Sequence, residues 1–307
     1  MAVNTKIIKR RIKSIGSTKK ITKAMEMISA VKMRRAVHNV LASRDYARLA
    51  AAMLKAVAKV SKIEEHPLLV ERKIKRVGVV LVTSNRGLAG GFNSRLLQAV
   101  HNFIKSLTID NSPLEAEVIL AGKRGKKIYH RYGHAVAAEF TKLDLTTKVE
   151  EILPMARTII SDYLSGRYDK IVLAYTDYVS AIAQEPRIVP LLPLVDLKVI
   201  ARIGKVVSSE SAPEINNGDT KPLEYLFEPD PKDVLAVLLP RLIESQIYQA
   251  VLESDASEHS ARMLAMKNAS DAARDMIKEL QYNFNKARQA AITQEIAEIV
   301  GGAAALN

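Results

Sequence analysis

A chain of 307 residues, 48% of them hydrophobic, is long enough to bury a core and fits about two domains. It has no cysteine and no run of 18 uninterrupted apolar residues, which excludes disulfides, thiol switches and cysteine-ligated metals and gives no transmembrane helix. The net charge of +13 is carried by residues 1–60, where 15 Lys or Arg stand against only Glu26 and Asp45.

That first segment contains no proline and one glycine, Gly16. Apolar positions at Ile8, Ile12, Ile15, Ile21, Met25 and Ile28, then Val37, Leu41, Leu49, Met53, Val57 and Val60, predict one long helix. It starts near Asn4 or Thr5, with Asn4 a candidate N-cap, and reaches about Ile63 before Pro67 ends it. Its basic start could mimic an organellar transit peptide, but the helical stripe runs through it without a break. Met25, Met27 and Met33 cannot all lie on one seam, so at least one faces outward. A basic helix of this kind fits a nucleic-acid or membrane-surface arm, or a surface held among acidic partner subunits. Tyr46 is the sole aromatic here, which disfavours single-stranded nucleic acid, whose readers stack bases on aromatics.

The middle of the chain alternates strand and helix patterns. Strands are predicted at Ile74–Thr83, Ala116–Gly122, AVAAEF (135–140) and Lys170–Thr176. Helices are predicted at GGFNSRLLQAVHNFIKSL (90–107), KRGKKIYHRYG (123–133) and Val149–Ser165, where Pro154 is tolerable only in the first turn or as a kink. EPRIVPLLPLV (185–195) reads as an extended edge marked by proline. This alternation implies a mostly parallel sheet covered by helices. Residues 196–230 form a polar connector expected to be partly mobile.

A second long helix starts at Pro231 with Asp230 as its cap, and Pro240 should kink or interrupt it at Leu239. Ala273, Ile277, Leu280, Phe284, Ala287 and Ala291 alternate in steps of four and three, a coiled-coil seam. Ile292, Ile296, Ile299, Ala303 and Leu306 repeat the steps one residue out of phase. At 1.5 Å per residue this helix would be on the order of 100 Å long, too long to be buried in its own domain. The fold class that follows is α/β with a long coiled coil. The N- and C-terminal helices form an antiparallel coiled-coil shaft around an inserted, Rossmann-like α/β domain. The competing arrangement is two independent amphipathic helices packed on the central domain. The domain boundaries are 1–66, 67–230 and 231–307.

No catalytic constellation is legible. SNRGLAGGFN (84–93) joins a strand to a helix, where phosphate-binding loops sit, but neither it nor GKRGKK (122–127) has the required spacing. Tight turning and close packing account for its glycines. The six histidines have no metal-ligand spacing, although His130 and His134 are four apart. No nucleotide binding, cofactor or metal is therefore expected of the chain alone. From Gln289 to Asn307 there is no basic residue, and Gly301–Gly302 sit in helical context. Such a tail is either a frayed end or a smooth tip for an apolar socket on another protein.

KITKAMEMISAVKMRRA, SNRGLAGGFN, YLFEPDP, SARMLAMKNAS and KARQAAITQEIAEIVGGAAAL together resemble the gamma subunit of the rotary F-type ATP synthase. The resemblance covers essentially the whole chain, and Thr293, Glu295, Glu298, Gly302 and Ala303 match the family's terminal signature. It implies a non-catalytic rotor shaft within a ring of alpha and beta subunits. Its foot would sit with the epsilon subunit on the membrane c-subunit ring. It implies a peripheral protein on the cytoplasmic side of the cell membrane, without nucleic acid. By the same resemblance, Met25 lies against an acidic lever loop of a beta subunit. Arg262, Gln289, Thr293 and Glu295 serve shaft–ring contact, with Arg288 and Gln289 near a catching loop of the ring. Tyr225 and Glu228 lie in the foot near epsilon and the c ring. Ala89 stands where many relatives have cysteine, the regulatory cysteine insertion of chloroplast relatives is missing, and Pro240 is not a family hallmark. The competing function is a basic coiled-coil nucleic-acid-binding or scaffold protein.

Overall fold

The computed structural model describes residues 5–60, 66–109, 112–142, 148–194 and 230–305. Asn4, Tyr225, Glu228 and the connector at 195–229 lie outside them. The elements are α1 (Thr5–Val60), β1 (Arg76–Val82), α2 (Phe92–Ser106), β2 (Thr108–Ile109), β3 (Ser112–Pro113), β4 (Glu115–Ala121), α3 (Lys123–Tyr132), β5 (Ala135–Phe140), α4 (Val149–Leu164), β6 (Lys170–Tyr178), β7 (Gln184–Leu192) and α5 (Pro231–Ala305). They divide into two units, residues 1–29 with 262–307 and residues 30–261, so α1 and α5 each contribute to both.

In the unit of residues 30–261 a five-stranded sheet has the order β5-β4-β1-β6-β7. The first three junctions are parallel, and β7 returns antiparallel to β6 as an edge. Central β1 is covered on both faces, so RVGVVLV reads as a continuous apolar run rather than an alternation. Its side chains still divide by parity: Val77, Val79 and Leu81 join Leu96, Leu97 and Val100 of α2. Val80 and Val82 join Ile152, Met155 and Ile159 of α4 and Leu239, Leu242, Ile243 and Ile247 of α5. The edge β7 carries Pro186 and Pro190, which an edge tolerates because one side of its backbone needs no partner. The two-residue strands β2 and β3 form a small hairpin that the sequence pattern does not predict.

Helix α5 begins as expected, with the Lys232 amide donating to Asp230 Oδ1 at 3.3 Å and Pro231 as the first helical residue. Of the kink or interruption expected at Leu239, the interruption does not occur: α5 continues through Pro240. An interior proline costs about 3 kcal/mol or more. Leu235, Leu239, Leu242 and Ile243 are all buried there, and each contributes about 1.5–3 kcal/mol relative to exposure, which offsets that cost. Ala236, whose carbonyl loses its partner, is exposed and can bond water. Pro154 likewise sits sixth in α4, beyond its first turn, which leaves the second of the two places expected to tolerate it, the helix interior. One 18-residue window of α5 within 232–302 is apolar enough, by length and composition, to cross a membrane. Half of that window is buried inside the fold, as in the core helix of a folded domain.

The helices α1 and α5 run antiparallel. Ala36 clusters with Ala256 and Tyr178, and seven residues further along α1 the Ser43 hydroxyl donates to Gln249 Oε1, seven residues earlier on α5. The phase of the α1 seam differs from the apolar reading. Ile21 and Ile28 are 61% and 57% exposed, whereas Thr22 and Ser29 are buried in their place, followed by Ala36 and Val40. The inward steps Ile8, Ile12, Ile15, Lys19, Thr22, Glu26 and Ser29 keep the four–three rhythm with small or polar members, each no more than partly exposed. Met27 faces out at 58% exposure while Met25 is half-buried, as three methionines on two faces require.

Candidate functional site

In the unit of residues 1–29 and 262–307, α5 presents Met266, Ser270, Ala273, Ile277, Leu280, Phe284 and Ala287 inward in alternating steps of four and three. The row ends at Ala287; Ala291, predicted to continue it, is exposed, as is every residue from 288 to 302. Ile292, Ile296, Ile299 and Val300 are 48–72% exposed, and no basic side chain stands among them. On α1, Lys6, Lys9, Arg10, Arg11, Lys13, Lys20 and Lys23 are exposed, with Lys23 paired to Glu26 at 2.9 Å. An apolar strip on one helix and a cationic face on the other are docking chemistry rather than a reaction centre.

The sequence-derived site residues fall along these helices. Met25 is half-buried on α1 and Arg262 is buried at 8% exposure on α5. Arg288, Gln289, Thr293 and Glu295 are exposed. The Thr293 hydroxyl donates to the Gln289 carbonyl one turn back at 2.9 Å, which fixes its rotamer. By helical geometry Arg288 and Glu295, two turns apart, share one face, and Gln289 and Thr293 lie on another, about 100–140° away. From Arg262 to Glu295 the helix rises about 50 Å, so these residues form an extended surface, not a cleft.

Among the described residues, the loop 84–93 and the His101–His134 pair are held by the chain's own contacts. In the loop 84–93, Asn93 closes the turn: its Oδ1 accepts from the Ser84 amide at 3.1 Å and its Nδ2 donates to Ser84 Oγ at 2.7 Å. The Arg124 guanidinium lies over Gly87 and would be 2.3 Å from a β-carbon there. Ala89 and Phe92 are buried against Ala261 of α5. The glycines thus stand where the chain turns and packs closely. Gly122, at φ +100°, brings its α-carbon where a β-carbon would be 2.2 Å from the Thr83 carbonyl. His101 Nδ1 and His134 Nε2 share a hydrogen bond at 2.9 Å, with Tyr132 stacked on His101 at a centroid distance of 4.2 Å. Burial, then the neighbouring His101 and Lys105, holds the His134 pKa below the ordinary histidine value. Among the described residues no group of three His, Cys, Asp or Glu could hold a metal.

Two buried charged clusters have no signal in the sequence. Lys142, after β5, is 7% exposed and pairs with Asp255 and, at 3.2 Å, with Glu258 of α5. Burial alone would lower its pKa; the two carboxylates more than offset this and hold it above the ordinary lysine range. Glu253, 1% exposed, lies one helical turn from Gln249, whose Nε2 donates to Glu253 Oε1 at 3.1 Å. The Lys142 cluster ties α5 to the segment that follows β5.

Against known proteins, the sequence profile of the ATP synthase family matches residues 4–306. The chain is 40% identical over 306 residues to the ATP synthase gamma chain of Methylococcus capsulatus, covering 100% of both. It is 40% identical over 300 residues to that of Heliobacterium modesticaldum, covering 98% of both. The fold is similar to a chain of the Euglena gracilis mitochondrial ATP synthase in an OSCP/F1/c-ring structure, at a TM-score of 0.64 and 17% identity, over 98% of this chain and 94% of that one. It is also similar to a chain of the central stalk/c-ring of the Tetrahymena thermophila mitochondrial ATP synthase, at a TM-score of 0.60 and 21% identity, over 81% and 99%. With a seamed helix pair and an inserted sheet, and with these matches over its whole length, the chain belongs to the ATP synthase family and, within it, to the gamma chains.

Proposed function

We propose that this chain is the central-stalk rotor subunit of a proton-translocating F-type ATP synthase, passing torque between a membrane c ring and a catalytic alpha/beta ring. The observation that carries the reading is the exposed apolar end of α5, Ile292 to Val300, in a chain related over its whole length to gamma chains. An apolar surface makes few directional hydrogen bonds, so it can be held closely and still turn. The cationic face of α1 suits acidic neighbours in the ring. In this reading residues 1–66 and 231–307 are the shaft and residues 67–230 the foot, which meets the epsilon subunit and the c ring through Tyr225 and Glu228. Met25, Arg262, Arg288, Gln289, Thr293 and Glu295 meet the alpha/beta ring. The chain contributes no catalytic group, and it works on the cytoplasmic side of the cell membrane as a peripheral protein.

The test is affinity capture of the native chain, followed by ATP hydrolysis by the captured alpha/beta ring with and without it. Capture of both subunits and a change in turnover are expected. Capture of nucleic acid with a steep salt dependence, and no ATPase subunits, would instead support the basic coiled-coil alternative.

A narrower expectation attaches to Met25. Placing an ammonium there, as Met25→Lys, adds a charge-assisted contact to an acidic loop worth about 1–3 kcal/mol. Proton pumping per ATP hydrolysed should fall in reconstituted vesicles while complex yield holds. Equal pumping at equal yield would remove Met25 from that interface.

A further inference from the structure

From residue 242 to residue 261 no side of α5 is exposed, which exceeds the single buried stripe of a helix lying on a sheet. Within that length, residues 255–261 are held from all round. Asp255 and Glu258 pair with Lys142, which follows β5, the second at 3.2 Å. Ala256 packs with Ala36 of α1 and with Tyr178 at the end of β6. The Ser257 hydroxyl donates to the Thr176 carbonyl of β6 at 3.1 Å, and the Ser260 hydroxyl to the Ala181 carbonyl in the β6–β7 turn at 2.6 Å. Gln184 Nε2, at the start of β7, donates in turn to Ser260 Oγ at 3.4 Å. Ala261 packs with Ala89 and Phe92, where α2 begins. At about 100° per residue these positions go right round the helix and leave no gap wider than about 100°. We propose that residues 255–261 form a collar, keyed by Ser257 and Ser260, that fixes the angle of α5 about its own axis and through which torque enters the foot.

The inference rests on the rotor reading. A helix that turns freely within a sleeve at one end must be keyed at the other for torque to pass, and α5 runs unbroken from the collar to Ala305. Apolar packing is non-directional and yields to rotation, whereas a hydrogen bond is lost once its angle is turned. Both serine hydroxyls reach main-chain carbonyls of the β6–β7 segment, which cannot follow a turning helix as a flexible side chain would. Thr176 lies past Ala174, the last residue of β6 paired with β1, and stands opposite Pro186, which has no N–H. The Ser257 hydroxyl meets its carbonyl there. Rotation of α5 by about 100° would bring Glu258 round to that side and set a carboxylate against a carbonyl oxygen. The small side chains at Ala256, Ser257, Ser260 and Ala261 let these neighbours approach the helix backbone closely, so turning also drives larger residues into Tyr178 and Phe92, which are buried.

The experiment compares wild type and Ser257→Ala/Ser260→Ala with Ser254→Ala, which removes from the same helix a buried hydroxyl that has no hydrogen-bond partner among the described residues. In the free full-length chain, hydrogen exchange at residues 176–184 should quicken on the order of 10-fold in the double variant relative to Ser254→Ala. In the whole complex, with the catalytic ring stalled by a non-hydrolysable nucleotide, a bead on the foot should show an angular variance about twofold larger, because alanine keeps the packing and loses the directional ties. Complex yield and ATP hydrolysis should match in all three chains. Where the double variant does not fold, Ser257→Ala alone makes the same comparison, with exchange about 5-fold faster. Equal exchange, or equal angular variance at equal yield, would overturn the collar. Failure of wild type to assemble with the ring would instead overturn the rotor reading and with it the torque role, while the exchange comparison still decides the grip.

Discussion

Replacing Lys142 with Met should cost the chain about 3–5 kcal/mol of stability at pH 7.5, because it removes the buried ammonium that pairs with both Asp255 and Glu258. The Lys142, Asp255 and Glu258 side chains are 5%, 13% and 6% exposed, so water cannot take over the lost contacts. Methionine fills much of the same volume, and the deficit therefore reports charge rather than a cavity. The pH dependence separates the two. With the cation gone, two neighbouring buried carboxylates lose the charge that favours their ionised forms, so the folded variant holds a proton there more readily than the intact chain does. The variant then keeps a proton in the folded state at acid pH, so its deficit should shrink towards pH 5 and grow as pH rises. Urea unfolding at both values measures this. A deficit below about 1 kcal/mol, or one equal at both values, would show that the triad does not hold β5 to α5.

Removing the end of α5 should have the largest functional effect, and the effect should be graded. Deletion of residues 303–307 leaves Ile292, Ile296, Ile299 and Val300 in place, and the complex should assemble and synthesise ATP. Truncation before Arg288 removes all four together with Arg288, Gln289, Thr293 and Glu295. At about 1.5–3 kcal/mol per side chain buried by a partner, the four apolar groups alone reach about 6–12 kcal/mol before the cost of association. Assembly should then be lost or nearly so. Ile299→Lys should hurt more than the five-residue deletion, since Ile299 is 72% exposed in the free chain and a charge there must enter an apolar sleeve. Complex yield and ATP synthesis across the series give the answer. Collapse on removing only the last five residues would mean a specific terminal anchor and would end the bearing interpretation.

Much of the fold was legible because buried strands and amphipathic helices write their periods into the sequence. All four expected strands and the proline-marked edge appear as β1, β4, β5, β6 and β7. The hairpin of β2 and β3 did not announce itself, because two residues are too few to show a period. The α1 seam was misphased for a different reason. An apolar count selects Ile21 and Ile28, but the helices pack through Thr22 and Ser29, leaving the larger residues outward. Hydrophobicity alone cannot tell a core face from a face turned to another molecule. Pro240 was read by local propensity, which the leucines around it override. The Lys142 triad joins residues 113 and 116 positions apart in sequence, for which no spacing rule exists. Arg288, Gln289, Thr293 and Glu295 are named by family resemblance alone, whereas the equally exposed Ile292, Ile296 and Ile299 show a period in the sequence. Tyr225 and Glu228 lie outside the described residues.

The heptad spacing between the Ala36–Ala256 and Ser43–Gln249 junctions makes the helix pair a gauge as well as a support. Each seven-residue step along one strand of the pair is matched by seven on the other, advancing about 10 Å with nearly the same faces still opposed. Length can therefore be edited only in paired units: matched heptads added to both helices conserve every facing partner. An unmatched single residue turns one helix by about 100° against its mate. A change of length that keeps these two junctions facing therefore adds or removes whole heptads on both helices.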